Sequence, residues 1–384
     1  MTHLLGPLAL ILVFALVGNS RNRDATSSRR KKTPAHRPIP ADFDAAAYGL
    51  VPRESLDARR AGPPSPERVR EASQTLANAA WSGDWRSVAA YIGAAGGDWD
   101  EHWSRFELLR AVAREDDAWL TTWREADPGN CDAAALEADL MVHRAWEVRG
   151  SGYANQVPAE NMAKFRALLP AAIEAAQRAA LLAPENPAPW VVMVTAARGA
   201  QYGPDRFRPL WDGLVARAPH HFEGHGQALQ YWCAKWFGSD REMMAFAKRA
   251  MDSAPAGSPL AGLYLYALSE LEERRVVLPS DRAAKRRLTA VAEALALVPD
   301  DHDGLPGLRH LLAHYLGAAG MYGAALEQFR IIGPWCGAQV WAERGDPVEV
   351  FHRARARAVL ESKAEPLPVE LQAAKNPDAV HHHH

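Results

Sequence analysis

Apolar residues recur along most of the chain at intervals of three and four, which is the spacing of one face of an α-helix. The pattern runs from about residue 64 to 361, and no stretch within it alternates apolar and polar residues as a half-buried β-strand does. In one clear stretch an apolar run ends at Trp81, the chain turns at Ser82–Gly83–Asp84, and a second run starts at Trp85. The pattern therefore predicts an all-α fold made of helical hairpins.

Prolines mark the ends of these predicted hairpins. Pro184, Pro219 and Pro255 are separated by 35 and 36 residues. The intervals on either side are 56 residues from Pro128 and 44 residues to Pro299, so they require insertions. Because the repeats are irregular, an ordinary helical bundle stays open as the alternative to a repeat architecture.

Two stretches, residues 171–197 and 308–333, resemble the tetratricopeptide repeat (TPR), in which small residues let paired helices approach and a proline ends the hairpin. Over residues 64–361 the resemblance implies a TPR-like right-handed α-solenoid, which leaves a curved surface for a partner. Arg287 departs from the pattern, since a small residue is expected there. In the first stretch the matching residues are Ala172, Ala176, Ala179, Pro184 and Trp190.

The sharpest local motif is KWFGSDRE at residues 235–242. Gly238 is suited to a left-handed helix end, Ser239 to capping the next helix, and Glu242 to completing a capping box. Trp236 is expected to pack across the hairpin, whereas Lys235 offers the alternative of an anion held at a helix start. Together with EMMAFAKRA, the motif resembles a bacterial TPR-like family of unknown function, which implies an α-solenoid and no known activity.

Polar residues on the first helix of each hairpin are the candidates for partner contact, because the TPR register places that helix on the inner wall of the stack. This reasoning predicts a protein-interaction adaptor or scaffold that binds a peptide or helix of a partner in a concave groove. No GxSxG, HExxH, CxxC or phosphate-loop sequence occurs, so neither an enzyme nor a cofactor is predicted. The predicted groove residues are Thr195, Arg198, Gln230, His310 and His314.

Two groups of histidines support an alternative, a metal-binding or enzymatic helical protein. His221 and His225 are four residues apart, so on a helix they share a face, as metal ligands can. The same spacing separates His310 and His314. The adaptor hypothesis requires no metal. The two groups are His220, His221 and His225, and His302, His310 and His314.

The N-terminal stretch LLGPLALILVFALVG, residues 4–18, carries no charge. As a helix it would measure about 22 Å, against about 30 Å of bilayer hydrocarbon, and basic residues follow it from Arg21 to Lys32. The positive-inside rule predicts an N-terminal hydrophobic anchor helix, residues 1–19, in the cell membrane with the helical domain facing the cytoplasm. A cleaved signal peptide and a secreted protein form the alternative.

The remaining segments are polar. Residues 20–63 are basic and proline-rich, which predicts a disordered linker, although Ala45 to Val51 could dock on the helical domain. Residues 362–384 are predicted to be a disordered tail that ends in four histidines, interpreted as a purification tag. In the last predicted helix, Arg353, Arg355 and Arg357 are assigned to a solvated face.

The overall composition, with 48% hydrophobic and 23% charged residues, is that of a globular protein. A net charge of −2 argues against nucleic-acid binding by the chain as a whole. Cys131, Cys233 and Cys336 lie far apart and are odd in number, which argues against a disulfide framework.

Overall fold

A computed structural model describes residues 39–40, 43–150 and 157–368. Helices connected by turns make up this part of the chain, and its only β-type contact is an isolated bridge between Asp57 and Trp335. The predicted all-α class is therefore confirmed. The contacts divide the chain into two units rather than the single repeat domain predicted for residues 64–361. Among the described residues, unit 1 is 65–150 with 157–255, and unit 2 is 39–40, 43–64 and 256–368.

Unit 1 consists of helices that follow one another as hairpins. Each of the helices α1, α3, α5 and α7 contacts the next odd-numbered helix, and the two helices of each hairpin contact each other. The helices are α1 Glu67–Trp81, α2 Trp85–Gly93, α3 Trp99–Glu115, α4 Ala118–Ala126, α5 Cys131–Arg149, α6 Ala159–Leu182, α7 Ala188–Gly199, α8 Pro204–Val215, α9 Phe222–Tyr231 and α10 Asp240–Ser253.

Local capping interactions explain where several of these helices begin. The Asp84 carboxylate accepts a hydrogen bond from Ser87 N, at 3.2 Å, and thereby satisfies an N–H group that the helix itself leaves without a partner. The turn predicted at residues 82–84 is thus confirmed. Ser239 caps α10 in the same way, since its Oγ accepts from Glu242 N at 3.2 Å.

Gly238 is needed for a reason that differs from the predicted one. Its φ angle is not positive, so it does not end α9 in the left-handed conformation. Instead, a Cβ at this position would lie 2.0 Å from the carbonyl oxygen of Trp232. The glycine therefore permits a close approach of two backbone segments.

The most extensive helix pair of unit 1 is α5 with α6. Ala172, Ala176 and Ala179 of α6 are fully buried, as the TPR-like spacing predicts for a close helix contact. Pro170 lies inside α6, which continues through it as one helix of 24 residues. Small side chains at these positions let the two backbones approach, so their burial depends on both helices being present.

Unit 2 contains six α-helices in its described part. The hairpin of α13 and α14 turns at Gly320, which adopts a positive φ of 71°. The apolar face of this hairpin packs on the final helix, α16. The helices are α11 Leu263–Glu273, α12 Arg282–Leu295, α13 Leu305–Ala318, α14 Tyr322–Ile332, α15 Gln339–Ala342 and α16 Pro347–Ser362.

Residues 43–63, here called the N-terminal strap, pack onto unit 2 and correct the predicted linker boundary. Leu50 is buried, and the carbonyl of Val51 accepts a hydrogen bond from Arg355 Nη1 at 2.6 Å. The suggestion that residues 45–51 dock on the helices is confirmed, but the ordered segment extends to Ala61. The polar composition misled the prediction because the strap gains its order from hydrogen bonds to helices far away in sequence.

The described residues contain no helix that is both long and apolar enough to cross a membrane. The predicted anchor at residues 1–19 and the basic run from Arg21 to Lys32 lie outside the described residues, as does the tail from residue 369 onward. The anchor therefore stays a prediction from the sequence.

Candidate functional site

The three predicted groove residues of unit 1 lie on α7 and α9 and are mostly buried. The Thr195 hydroxyl donates to Val191 O within the same helix, at 2.8 Å. The guanidinium of Arg198 lies 5.3 Å from the ring centres of both Trp146 and Trp236, so cation–π contacts hold it inside the unit. Gln230 is also buried, and its Nε2 has no hydrogen-bond partner. Their contact with a partner stays a prediction.

The fourth predicted groove residue, His310, is fully buried in unit 2 and bonded on both sides of its ring. Trp341 Nε1 donates to His310 Nδ1 at 2.7 Å, and His310 Nε2 donates to the strap carbonyl of Ala61 at 2.9 Å. Burial lowers the pKa of His310 to about 4, so the ring is neutral at neutral pH. Its position therefore fits a structural link between α13 and the strap.

The fifth predicted groove residue, His314, belongs to a polar network on α11 and α13. His314 Nε2 lies 3.0 Å from Glu272 Oε2, and Arg344 Nη2 lies 2.7 Å from the same oxygen. The Tyr315 hydroxyl also donates to Glu272, at 3.0 Å. Burial alone would raise the pKa of Glu272, but His314 and Arg344 lower it to about 2. The network satisfies its own members and stabilises unit 2.

The alternative histidine groups do not converge on a common point. His225 Nδ1 donates to the carbonyl of His221, whereas His221 Nδ1 accepts from Gly224 N. His302 Nδ1 accepts from Gly304 N in its own turn. Among the residues that the structure describes, no three His, Cys, Asp or Glu side chains are placed to hold a metal ion.

The KWFGS segment forms the connection between α9 and α10. Trp236 packs edge-on against Trp146 of α5, with ring centres 6.1 Å apart. Ser239 Oγ contacts both the amide and the carboxylate of Glu242. Lys235 lies partly exposed in this connection. These contacts give the motif a structural role.

A polar cluster that the sequence did not single out lies where α3, α5 and α9 meet in unit 1. Glu107 and Arg110 come from α3, and Arg110 Nη2 lies 3.0 Å from Glu107 Oε1. Arg110 Nη1 also lies 3.5 Å from Asp139 Oδ2 on α5. We call this the α3–α5–α9 cluster, and its members are Glu107, Arg110, Asp139, His143, Glu223 and Gln227.

Helix α9 supplies two acceptor atoms of the cluster that have no hydrogen-bond partner. Gln227 Nε2 donates to Glu223 Oε1 at 2.7 Å, and Gln227 is only 3% exposed. The other carboxylate oxygen, Glu223 Oε2, and the amide oxygen, Gln227 Oε1, have neither solvent-accessible surface nor a hydrogen-bond partner. Because buried polar atoms in folded proteins nearly always have partners, these two acceptors call for an explanation.

The charges of the cluster are unbalanced. Burial and the neighbouring Glu107 carboxylate raise the pKa of Glu223 to about 7. Burial acts against the charge of Arg110, but Asp139, Glu107 and Glu223 raise its pKa above the ordinary value. Burial lowers the pKa of His143, which is therefore neutral at neutral pH. Three carboxyl groups thus lie within electrostatic range of one guanidinium, and the cluster can attract a cation and exchange a proton near neutral pH.

Spacing in the sequence contained a weak signal for this cluster. Glu107 and Arg110 are three residues apart, and Asp139 and His143 are four apart, so each pair shares a helix face. Residues 220–225 contain the predicted metal ligands His220, His221 and His225, but it is Glu223 of this segment that joins the cluster. Only the packing of α9 near α3, visible in the ring contact of Trp103 with His221 at 5.2 Å, brings these residues together.

No family model, no curated protein and no solved structure matches the chain. The resemblance to TPR proteins stays a prediction from the sequence. Support for a function therefore comes from this chain's own residues.

Proposed function

We propose that this protein is an adaptor that binds an extended segment of a partner protein on its helical hairpins. The observation that carries the proposal is the N-terminal strap, because unit 2 holds this segment through bonds from helix side chains to its backbone carbonyls. His310, Arg330 and Arg355 donate to Ala61, Tyr48 and Val51, respectively. Bonds to the main chain hold a segment with little regard to its sequence, as in other modes of peptide recognition.

Unit 1 offers a comparable surface that its own chain leaves incomplete. Its odd-numbered helices contact one another in succession, an arrangement that supports the stacked-hairpin architecture implied by the TPR resemblance. The α3–α5–α9 cluster lies on three of these helices and retains two buried acceptors without partners. We therefore place the partner segment along the odd-numbered helices of unit 1, over the cluster.

Selection from a random peptide display library on the immobilised full-length protein tests this proposal. We expect enriched peptides with micromolar affinity, which corresponds to a binding free energy of about −8 kcal/mol. Binding should weaken about tenfold in Gln227→Leu, because the amide that faces the cluster is lost. The exposed Glu174→Gln on α6 is the matched control and should bind as the original protein does.

Two results would contradict the proposal. One is the absence of any enriched peptide under conditions where the protein is folded by circular dichroism. The other is a set of peptides whose affinity is equal for the original protein and for Gln227→Leu.

The proposal includes attachment to a membrane through residues 4–18, supported by their uncharged sequence and the basic run behind them. Anchoring would raise the local concentration of membrane-associated partners. The full chain should stay in the membrane fraction after carbonate extraction, whereas a chain beginning at Ile39 should be released. Release of both chains, or a native N-terminus beyond residue 19 by mass spectrometry, would refute the anchor.

A further inference from the structure

We infer that the α3–α5–α9 cluster is a binding site for a primary ammonium group, delivered by a lysine side chain of the partner segment. This inference rests on the proposed function for the source of the lysine, but the site itself is argued from side chains of unit 1. The ligand would complete the hydrogen bonds of Glu223 and Gln227 and balance the excess of carboxylates.

The side chains of the cluster include more acidic groups than basic ones, which favours binding of a cation. Glu107, Asp139 and Glu223 contribute three carboxylates, and Arg110 contributes the only cation among the cluster's members. The distances of 3.0 Å and 3.5 Å from Arg110 commit this guanidinium to Glu107 and Asp139. Glu223 is within electrostatic range of both acids and of Arg110, and its hydrogen-bond donor is the amide of Gln227. A second cation would relieve the repulsion among the carboxylates.

Two oxygen atoms of the cluster lack hydrogen-bond donors, and this observation is independent of the charges. Gln227 is nine-tenths buried, yet its Oε1 has no partner, and Glu223 Oε2 has none either. Since Oε1 and Nε2 of Gln227 share one carbon, Oε1 lies beside the Glu223 carboxylate that Nε2 contacts. When Glu223 is ionised, both vacant groups are acceptors, so the missing partner is a donor. An ammonium group has three donors on one compact atom and can serve both oxygens at once.

Some side chains of the cluster are partly exposed, so a ligand from solution can reach them. The side chain of Glu107 is 23% exposed and that of His143 is 20% exposed, whereas that of Asp139 is only 4% exposed. Glu107, His143 and Glu223 are therefore partly exposed, whereas Asp139 and Gln227 are buried. A flexible lysine stem can reach the partly exposed carboxylates and place its charge beside the buried groups, where low polarity strengthens the contact. Protonated Glu223 would give up its proton to the buffer when the ammonium binds.

The experiment uses n-butylammonium chloride as the probe, so that it does not depend on finding a partner. Its dissociation constant for the full-length protein at pH 7.5 is measured by ligand-observed NMR at constant ionic strength. We expect binding in the range of about millimolar, weakened about tenfold or more in Glu223→Gln and in Glu107→Gln. Glu174→Gln should bind like the original protein, and methylguanidinium should bind more weakly than butylammonium.

Calorimetry supplies a second readout that a structural role of Glu223 would not affect. The binding enthalpy in phosphate and in Tris should differ because a proton is released, and this difference should vanish in Glu223→Gln. Equal affinity for all variants, or no binding at a concentration of about 100 mM, would overturn the inference.

The two proposals fail in different ways. If library peptides bind over the cluster but carry no enriched lysine, the ammonium site is wrong and the adaptor function stands. If butylammonium binds as described but no peptide does, the site stands and the adaptor function is wrong.

Discussion

The substitution Glu223→Gln should make the stability of unit 1 less sensitive to alkaline pH. In the folded protein, burial and Glu107 raise the pKa of Glu223 to about 7 from an ordinary value of 4.5. Between these two values the folded state binds more protons than the unfolded state, so stability falls as pH rises. The contribution of Glu223 is fully present below pH 4.5 and is lost as pH rises through about 7.

The size of the effect follows from the shift. A difference of about 2.5 pKa units corresponds to about 3 kcal/mol over the full range, at about 1.4 kcal/mol for each unit. Between pH 5 and pH 8.5, most of this is lost, or about 2 to 3 kcal/mol. Glutamine has no proton to lose, and its amide oxygen can still accept from Gln227. The variant should therefore gain that amount relative to the original protein across this interval.

Urea unfolding at several pH values, followed by tryptophan fluorescence, measures the difference in free energy of unfolding between the two proteins. Other titrating groups, such as the neutral buried His221 and His225, are common to both proteins and cancel in the difference. Glu174→Gln, at an exposed position, should show a constant difference from the original protein. If the difference for Glu223→Gln changes by less than about 0.5 kcal/mol between pH 5 and 8.5, the assigned environment of Glu223 is wrong.

Three further predictions concern packing. Arg355→Leu removes the buried donor to the strap carbonyl, so trypsin should cleave within residues 43–63 about tenfold faster. The control Arg353→Leu, at a side chain that is 62% exposed, should leave the cleavage rate unchanged. Equal cleavage rates for the two variants would contradict this prediction. His310→Phe leaves the buried indole N–H of Trp341 and the strap carbonyl of Ala61 without partners. The variant should therefore lower the unfolding free energy of unit 2, measured by urea titration, by about 2 to 4 kcal/mol. A loss below about 0.5 kcal/mol would refute the assigned hydrogen bonds. Gly213→Ala places a Cβ 1.9 Å from an indole carbon of Trp190 and should destabilise unit 1 by about 1 to 3 kcal/mol. Gly323→Ala, which faces open space on α14, should stabilise unit 2 by about 0.4 to 1 kcal/mol. Thermal unfolding that shows the same change for both variants would contradict this prediction.

The helices themselves are largely predictable because their signals are local. The turn before Trp85 and the cap at Ser239 depend on residues three or four positions apart, which a reading of the sequence can pair directly. Apolar spacing likewise identifies the buried faces of α6 and α13, including Ala176 and Leu312. These features follow from helix geometry and need no knowledge of the partner element.

The strap shows where composition misleads. A proline-rich, basic segment has too little apolar surface to order itself, and this physics is correct for the segment alone. Its order comes from Arg355, 304 residues beyond Val51, and from His310, 249 residues beyond Ala61. The spacing of Arg353, Arg355 and Arg357 placed all three on a solvated face, yet Arg355 is 1% exposed because the strap covers it.

For the candidate site too, the sequence predicts some features and only the tertiary structure decides the others. The histidines could be selected by their spacing, but their ring nitrogens serve neighbouring backbone groups and a tryptophan. Glu223 had no distinguishing context in the sequence, since its raised pKa arises from burial and from the proximity of Glu107, both of which depend on the packing of α9. The meeting of these helices determines the burial and the charge imbalance from which the site is inferred.

The sequence by itself determined the all-helical class, the turn at residues 82–84 and the start of α10 at Ser239, because each depends on interactions within a turn or two of the chain. The tertiary structure alone decided that the chain divides into two units, that residues 43–63 belong to the second, and that Glu223 and Gln227 join one cluster with Glu107 and Arg110. Those outcomes depend on which surfaces meet, and the energies of burial and charge pairing exist only after they have met.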